Sequence, residues 1–306
     1  MMTGADIKSC RLCGEKSHQI ILDDIVTSAN DRFALNQCNN CALITTYPMP
    51  SAKLLQQYYD QDYWHSGGQN KRPALNTLYR LRMTPIVSTI RNYTKTDSRI
   101  LDWGCGDGSL INLLRKFGLN CFGIDAYKQN LDDPQVSAAT IEMADFPNGY
   151  FDIITCFHVL EHLADPLTSI KSALRLLKTG GVMVVEVPNL DSVGFRIFKN
   201  RWQPLEIPTH LNHFTPITLQ RLFQFAGKTK ILKMDFFSHR ISPSALVLSM
   251  FPFLSPRRIR KKYGGRYPLS HLAVYFMMQL LAYPLAAAGS TLGHGEIIRM
   301  YVRKSG

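Results

Sequence analysis

Short apolar runs alternate with helix-like segments through the middle of the chain. Residues 100–103 form a short, mainly apolar run that predicts a buried strand. Residues 110–117 have the spacing of a helix, and Gly118 is expected to end that helix. Further apolar runs at 120–124, 136–141, 151–157, 182–187, 231–237 and 296–303 predict more strands. Strands that alternate with helices are typical of an α/β fold with a doubly wound, mostly parallel sheet.

Three glycines at alternate positions follow the first of these runs: Gly104, Gly106 and Gly108. Glycine has no Cβ, so such a turn can be tight and its N–H groups can face a bound group. Asp125 ends the next strand, and an acid about 20 residues beyond the glycines is well placed to accept hydrogen bonds from a ribose. The alternative is a tight turn that binds nothing.

Position 109 is Ser, which departs from the G-x-G-x-x-G dinucleotide fingerprint. With Asp102 ahead of it, the D-x-G-x-G-x-G pattern followed by Asp125 resembles the class I S-adenosylmethionine-dependent methyltransferases. Residues 151–163 and 176–189 resemble that family's fourth strand and its helix–turn–fifth strand, in the family's order. The resemblance implies a doubly wound, Rossmann-like, seven-stranded methyltransferase sheet with an antiparallel last strand, and S-adenosylmethionine across the first two strands.

The same resemblance implies a set of cofactor-binding residues: Asp102, Gly104, Cys105, Gly106, Asp125, Asp145 and Phe157. Asp145 is our choice for the adenine amine, Glu142 is an equal rival, and a solvated loop acid is the alternative to both. His158, Glu161 and His162 follow a strand at its carboxyl end, where the family's turn borders the methionine part of the cofactor. We expect no second metal site there.

Four cysteines near the N-terminus form two C-x-x-C pairs about 24 residues apart: Cys10, Cys13, Cys38 and Cys41. The two-residue gap lets both thiolates of a pair reach one ion, and two pairs complete a tetrahedron, so the pattern predicts a structural zinc. Disulfides and a redox dithiol are the alternatives. Four thiolates leave no open position for water, so we expect no catalysis at this metal.

The predicted organisation has three parts. Residues 1–50 form a small zinc ribbon, 51–98 a linker and helical cover, and 99–306 the methyltransferase domain, with a helical insertion at 241–293. Tyr63 lies in a tyrosine-rich stretch, and in similar methyltransferases such a segment covers the cofactor and substrate. Tyr63 is therefore a candidate substrate contact, and packing of the linker aromatics on the core is the alternative.

The segment 206–216 contains two histidines, His210 and His213, in a P-x-H-x-x-H-F-T pattern. It resembles the substrate side of methyltransferases that modify sugars and small metabolites. Transfer to oxygen or carbon requires removal of a proton, and histidine is a suitable base near neutral pH. His210 is the first candidate for the base and His213 the second. The alternative is that both histidines orient the loop through backbone hydrogen bonds.

The formal net charge of +12 favours an anionic partner. Much of the charge lies at 257–262, between apolar stretches, so residues 244–288 suit a peripheral contact with anionic headgroups. Each apolar stretch is short of the roughly 20 residues of a membrane span. A lid over the substrate pocket or a dimer surface is the competing interpretation, and the oligomeric state is left open. We expect no secretory signal and a reducing cytoplasm, with this surface at the inner face of the membrane.

The leading hypothesis is methyl transfer to oxygen or carbon of a nucleotide-linked sugar or lipid-linked glycan. It rests on analogy with enzymes that have the same order of zinc ribbon and methyltransferase. One rival is an RNA methyltransferase that uses the ribbon for docking, although nucleic acid is the weaker partner because the basic residues adjoin apolar runs. Another rival is a non-catalytic binding protein on the same fold.

Overall fold

The computed structural model describes residues 9–60, 73–127, 133–263 and 268–306. The N-terminal part has three strands and a helix: β1 (His18–Val26), β2 (Arg32–Cys38), β3 (Ile44–Tyr47) and α1 (Ala52–Asp60). The central part follows with α2 (Pro73–Arg91), β4 (Arg99–Trp103), α3 (Ser109–Arg115), β5 (Asn120–Ile124), β6 (Val136–Ser137), β7 (Phe151–Phe157), α4 (Pro166–Leu176) and β8 (Leu177–Pro188). The remaining elements are α5 (Val193–Phe198), β9 (Asn212–His213), α6 (Pro216–Ala226), β10 (Thr229–Asp235), α7 (Ser242–Met250), α8 (Pro256–Lys262), α9 (Leu269–Thr291) and β11 (Ile297–Lys304).

The larger sheet has seven strands in the order β10-β11-β8-β7-β4-β5-β6. Strands β4 to β8 are parallel, and β11 is inserted antiparallel between β10 and β8. The predicted seven-stranded Rossmann-like sheet with an antiparallel last strand is confirmed. The strand predicted at 136–141 is shorter, because β6 is an edge strand that pairs only with Gly123 and Ile124 before the chain turns.

Two apolar layers cover the faces of this sheet. On one face, α2 and α3 pack through residues such as Val87, Ile90 and Leu114. On the other, α4 and α6 pack through residues such as Ile170 and Phe223. Because both faces are covered, the carboxyl ends of the parallel strands are the edge where a ligand can approach.

A second, four-stranded sheet has the order β1-β2-β3-β9. Its fourth strand comes from the segment that contains the candidate catalytic histidines, since Ile44 pairs with His213 and Thr45 with Asn212. The N-terminal sheet is therefore joined by backbone hydrogen bonds to residues far along the chain. The local strand patterns gave no sign of this pairing.

Helix α9 is 23 residues long and continues through Pro284. The prediction that each apolar stretch within 244–288 falls short of a membrane span was wrong for this one, because the helix begins before the apolar run and ends after residue 288. By length and composition it could cross a membrane, and only 22% of its most apolar window is buried. Large apolar side chains along it are mostly exposed, among them Leu269, Leu280, Leu281 and Leu285.

Candidate active site

The turn after β4 lies close to the two neighbouring strands. The N–H groups of Gly104 and Cys105 both donate to the Ile124 carbonyl, at 2.8 and 3.2 Å. A Cβ at Gly104 would lie 2.2 Å from Val159 Cγ2, so a larger residue cannot fit without displacing that side chain. At Gly106, φ is +51° and a Cβ would meet no atom within 4 Å. The backbone of Gly106 therefore borders open space that a ligand can enter.

Asp125 follows β5 and directs its carboxylate to this turn. Its Oδ2 accepts a hydrogen bond from the Gly106 N–H at 2.9 Å, and its Oδ1 accepts one from the Tyr127 N–H at 2.9 Å. These two donors hold the carboxylate beside the open backbone of Gly106. The structure thus brings the glycine turn and Asp125 together, and the ribose role of Asp125 stays a prediction.

Asp102 is a buried carboxyl within β4. Its Oδ1 accepts a hydrogen bond from the Thr155 hydroxyl at 2.7 Å. Burial, which outweighs this hydrogen bond, raises the pKa of Asp102 to about 7, and the nearby charge of Asp125 acts in the same direction. A cationic group bound beside the turn would favour the ionised form of Asp102.

The other cofactor candidates lie around the same edge. Cys105 is buried at the turn, and Phe157 is half-buried at the end of β7 against the same apolar cluster. Asp145 is exposed and hydrogen-bonds to none of the residues the structure describes. Its rival Glu142 already accepts a hydrogen bond from the Ser169 hydroxyl at 2.5 Å. Asp145 is therefore the freer of the two acids for a ligand.

The turn after β7 contains a buried ion-pair network. His158 has a φ of +58°, and its ring lies 3.2 Å from Glu161 Oε1 and 3.0 Å from Glu186 Oε1. Burial opposes a charge on this ring, but the two carboxylates outweigh it and raise the pKa of His158 to about 9. His158 is therefore an imidazolium at neutral pH and a poor candidate for a base.

Glu186 and Arg299 extend this network across β8 and β11. Arg299 Nε donates to Glu186 Oε2 at 2.8 Å, and a second guanidinium nitrogen donates to the same oxygen. Burial alone would raise the pKa of Glu186, yet the charges of Arg299 and His158 hold it well below its usual range. The sequence analysis missed both residues. The available signal was a single acid in the apolar run 182–187 and an arginine in the last strand.

Three proton acceptors converge beside this turn: Glu161, His162 and His210. Their nearest ligand atoms all lie within 4.8 Å of one another. Each histidine has its Nδ1 next to a carbonyl, that of Thr209 for His162 at 3.0 Å and that of Pro204 for His210 at 2.9 Å. A carbonyl only accepts, so each Nδ1 is the protonated nitrogen and each Nε2 holds a lone pair in the neutral ring.

Both histidines of this cluster are kept neutral by their surroundings. Burial is the main reason that the pKa values of His162 and His210 fall to about 4. Glu161 is 1% exposed, and its Oε2 has no hydrogen-bond partner among the described residues. Glu161 Oε2 can therefore accept a further hydrogen bond, and a hydroxyl group is the kind of ligand that could donate it.

His213 has a different environment from His210. Its Nε2 lies 2.9 Å from the Thr46 hydroxyl, and that hydroxyl donates to the His210 carbonyl at 2.6 Å. Because Thr46 uses its proton on the carbonyl, His213 Nε2 must be the donor in their contact. Burial lowers the pKa of His213 to about 3. This geometry fits a residue that orients the loop on β3.

Tyr63 lies outside the described residues. Tyr59, from the same tyrosine-rich stretch, has its hydroxyl 3.3 Å from His162 Nδ1 and its ring 5.7 Å from that of Tyr127. Tyr59 therefore contacts both the histidine cluster and Tyr127, which lies two positions after Asp125. The predicted covering of this edge by the tyrosine-rich stretch involves Tyr59, which the sequence analysis did not single out.

The four N-terminal thiols form one group. The Sγ atoms of Cys10 and Cys41 lie 3.4 Å apart, those of Cys13 and Cys38 lie 3.6 Å apart, and all four cysteines are free. A tetrahedral zinc with Zn–S bonds of about 2.3 Å requires sulfur atoms roughly 3.8 Å apart. The donor set and spacing therefore fit a metal ion bound by four thiolates, and they are too wide for disulfides.

Comparison with known proteins agrees with this architecture. The model of a family described as "Methyltransferase domain" matches residues 75–232. A ubiquinone biosynthesis O-methyltransferase of Ruegeria sp. is 29% identical over 201 residues, which cover 57% of this chain and 81% of that protein. A protein of the same name from Cereibacter sphaeroides is 30% identical over 146 residues, which cover 42% of this chain and 59% of that protein.

The fold comparison gives the same class. A chain from the complex between the Haloferax volcanii Trm112 methyltransferase activator and a methyltransferase superposes with a TM-score of 0.51 at 15% identity. The match covers 81% of this chain and 98% of that chain. The sheet order, the glycine turn and these matches define a methyltransferase of the Rossmann-like class. The chain belongs to the methyltransferase-domain family, as the sequence analysis predicted.

Proposed function

We propose that this protein transfers the methyl group of S-adenosylmethionine to an oxygen or carbon atom of a nucleotide-linked sugar or lipid-linked glycan. The observation on which this rests is the cluster of Glu161, His162 and His210, whose proton acceptors converge beside the turn after β7. Val159 contacts Gly104, and Tyr59 contacts both His162 and Tyr127, so the cluster adjoins the proposed cofactor pocket. The O-methyltransferase names of the two relatives support oxygen as the acceptor atom.

The residues at the turn fit S-adenosylmethionine. Asp125 would accept from the ribose hydroxyls, and the open backbone at Gly106 leaves room for the ligand to approach. Gly104, Cys105, Asp102 and Phe157 would line the rest of the pocket. Asp145 would accept from the adenine amine, since Glu142 is already engaged by Ser169. When bound, the cofactor supplies an electrophilic methyl group on a sulfonium.

His210 is the proposed general base. Its neutral Nε2 can accept the proton of an acceptor hydroxyl as the oxygen attacks the methyl carbon. The unpartnered Glu161 Oε2 lies beside it and would stabilise the imidazolium that forms. His213 holds the segment against β3, and Tyr63 is proposed as a further contact to the substrate.

A lipid-linked acceptor is supported by helix α9. Its exposed leucines form an apolar surface, and the preceding α8 is a basic helix in which Arg258 and Lys262 are exposed. A basic segment beside an exposed apolar helix suits peripheral contact with anionic headgroups. We therefore place this surface at the cytoplasmic face of a membrane. The same juxtaposition makes RNA docking the weaker use of the positive charge.

The test of this function is an acceptor screen. The full chain would be incubated with S-adenosylmethionine labelled in its methyl group, together with nucleotide-linked sugars, lipid-linked glycans, a polyprenylated phenol or RNA. We expect label in a sugar or glycan, and alkali-stable ether linkage would identify oxygen as the acceptor atom. Label found only in RNA, or only in the polyprenylated phenol, would contradict the proposed substrate class.

A structural zinc is proposed at Cys10, Cys13, Cys38 and Cys41. Cys38→Ser should reduce the zinc content from about one ion per chain to almost none and lower the melting temperature. The reason is that a closed site of four thiolates contributes directly to the folding of a small segment. Metal content by mass spectrometry and melting by calorimetry measure the two effects.

The matched control for the zinc is Asn40→Ala, which changes an exposed side chain between the two cysteines of the same pair. This variant should keep its metal. A wild-type chain that is folded and free of metal would show that the cysteines do not form a zinc site.

A further inference from the structure

A cavity of about 510 Å³ lies beside the ion-pair network, on the α2 face of the sheet. It is open to solvent and bordered by α2, α9, the end of β10 with the residues that follow it, and β11. Its polar lining is mainly basic and aromatic, and includes Arg82, Lys233, Asp235, His239, Tyr283 and Arg299. Nothing in the proposed methyl-transfer chemistry uses this cavity.

The charges that line the cavity do not cancel. Lys233 pairs with Asp235 at 2.8 Å, and Arg299 pairs with Glu186. Arg82 forms no salt bridge or hydrogen bond with any residue in the described ranges, and its guanidinium lies 5.4 Å from the centre of the Phe276 ring. Burial lowers the pKa of Arg82, which shows that the charge is held partly out of water without a carboxylate to compensate it.

A second guanidinium, that of Arg240, forms no salt bridge within the described part of the chain. Arg240 follows His239 of the cavity wall, and its guanidinium lies 6.0 Å from the centre of the Tyr79 ring. Arg240 also acts on the Glu186 carboxylate and lowers its pKa, so Arg82 is the arginine of the cavity lining that has no counterion among the described residues. Such a group indicates a site for an anion, because guanidinium groups match the oxygen pairs of phosphates.

The cavity is also near the proposed site of methyl transfer. Arg299 lines it, Glu186 bonds to Arg299, and His158 at the end of β7 bonds to Glu186. One carboxylate therefore separates the cavity wall from the turn that contains Glu161. An acceptor whose anionic group lies in the cavity could extend its reacting end toward the histidine cluster.

We propose that this cavity binds the phosphate or diphosphate group of the methyl acceptor, with Arg82 as its main charged contact. The proposal rests on the proposed function, because it assigns to the same acceptor the group that a nucleotide-linked sugar and a lipid-linked glycan share. Helix α9 contributes Tyr283, Ala287 and Ser290 to the cavity and exposes Leu280, Leu281 and Leu285 elsewhere on its surface. The anion could therefore be delivered from water or from a membrane surface.

The first experiment is calorimetric titration of the full chain with inorganic pyrophosphate at low ionic strength. We expect measurable binding that Arg82→Gln weakens about tenfold or more, since a charged hydrogen-bonded contact is lost. Arg80→Gln removes an exposed charge two residues away on the same helix and should change the affinity less than about twofold. Melting temperatures and binding of S-adenosylhomocysteine would be measured on the same samples.

The second experiment distinguishes the two sources of the anion. Uridine diphosphate in solution and vesicles containing a polyprenyl diphosphate would each compete with pyrophosphate. Competition by uridine diphosphate or by the vesicles supports the proposal if the Arg82→Gln variant no longer shows it. The ligand that competes identifies the source of the anion.

Two outcomes would overturn the proposal: no pyrophosphate binding by a chain that still binds S-adenosylhomocysteine, or equal weakening by Arg80→Gln. These measurements need no turnover. A failure here is therefore distinct from a failure to methylate sugars, which would contradict the proposed function instead.

Discussion

Replacement of His210 by alanine is expected to lower kcat by about 10²- to 10⁴-fold, the usual contribution of a positioned general base. Binding of S-adenosylhomocysteine should not change, because the proposed function assigns His210 to the acceptor, and its contacts in the structure are with Pro204 and His162. Steady-state kinetics with the acceptor found in the screen, together with calorimetry, measure the two quantities.

The pH dependence gives a second readout for His210. Burial lowers its pKa to about 4, so the base form is already complete above about pH 5. The acid limb of the kcat/KM profile should therefore lie near pH 4, whereas an exposed histidine would give a limb near about 6.5. His158, with a pKa of about 9, loses its charge at the other end of the range, and its ion pairs weaken as the pH rises through that value.

Two further variants separate chemistry from folding. His210→Asn keeps a side-chain N–H at the position of Nδ1, which bonds to the Pro204 carbonyl, but has no basic nitrogen, so it should be folded and as slow as the alanine variant. His18→Ala, in the outer strand β1, should be fully active. Normal turnover in the His210→Ala variant would exclude His210 as the base.

Replacement of Asp125 by alanine is expected to weaken binding of S-adenosylmethionine and S-adenosylhomocysteine by about 10- to 100-fold. Hydrogen bonds from ligand hydroxyls to a carboxylate contribute about 1.5–3 kcal/mol to the binding free energy, and the alanine variant loses this contribution. Asp125 also receives hydrogen bonds from Gly106 and Tyr127, so the variant loosens the turn itself. Calorimetric titration measures the change in affinity directly.

Asp107→Ala is the matched control for Asp125, because it removes the same charge from the same region. Asp107 is exposed and bonds only to the Ser109 N–H among the described residues. Its replacement should change the affinity for cofactor by less than about threefold. Equal affinity of Asp125→Ala and the wild type would refute the ribose role.

Much of the fold could be predicted because its signals are local. The strand before Gly104, the glycine turn and the helix after it are encoded within about 20 residues, and each cysteine pair is encoded within four. Strand order followed from resemblance to a known family, which supplied the antiparallel last strand. Local patterns and family order were sufficient for the sheet and for the residues around Asp125.

The features that were missed depend on residues far apart in the sequence. Glu186 and Arg299 meet because β8 and β11 are paired in one register, and they are separated by 113 positions. His210 lies in the loop that β9 joins to the N-terminal sheet, and its burial there lowers its pKa. The cavity next to Arg82 requires α2 and α9 to lie together, which neither helix indicates alone.

The most direct test of the central claim is calorimetric titration of the zinc-loaded wild-type chain with S-adenosylmethionine and then with S-adenosylhomocysteine. The account predicts saturable binding of both at one site per chain, in the micromolar range typical of enzyme substrates. Absence of binding by a folded chain would contradict it. The glycine turn and Asp125 would then serve structure alone, and a non-catalytic binding protein would be the better description.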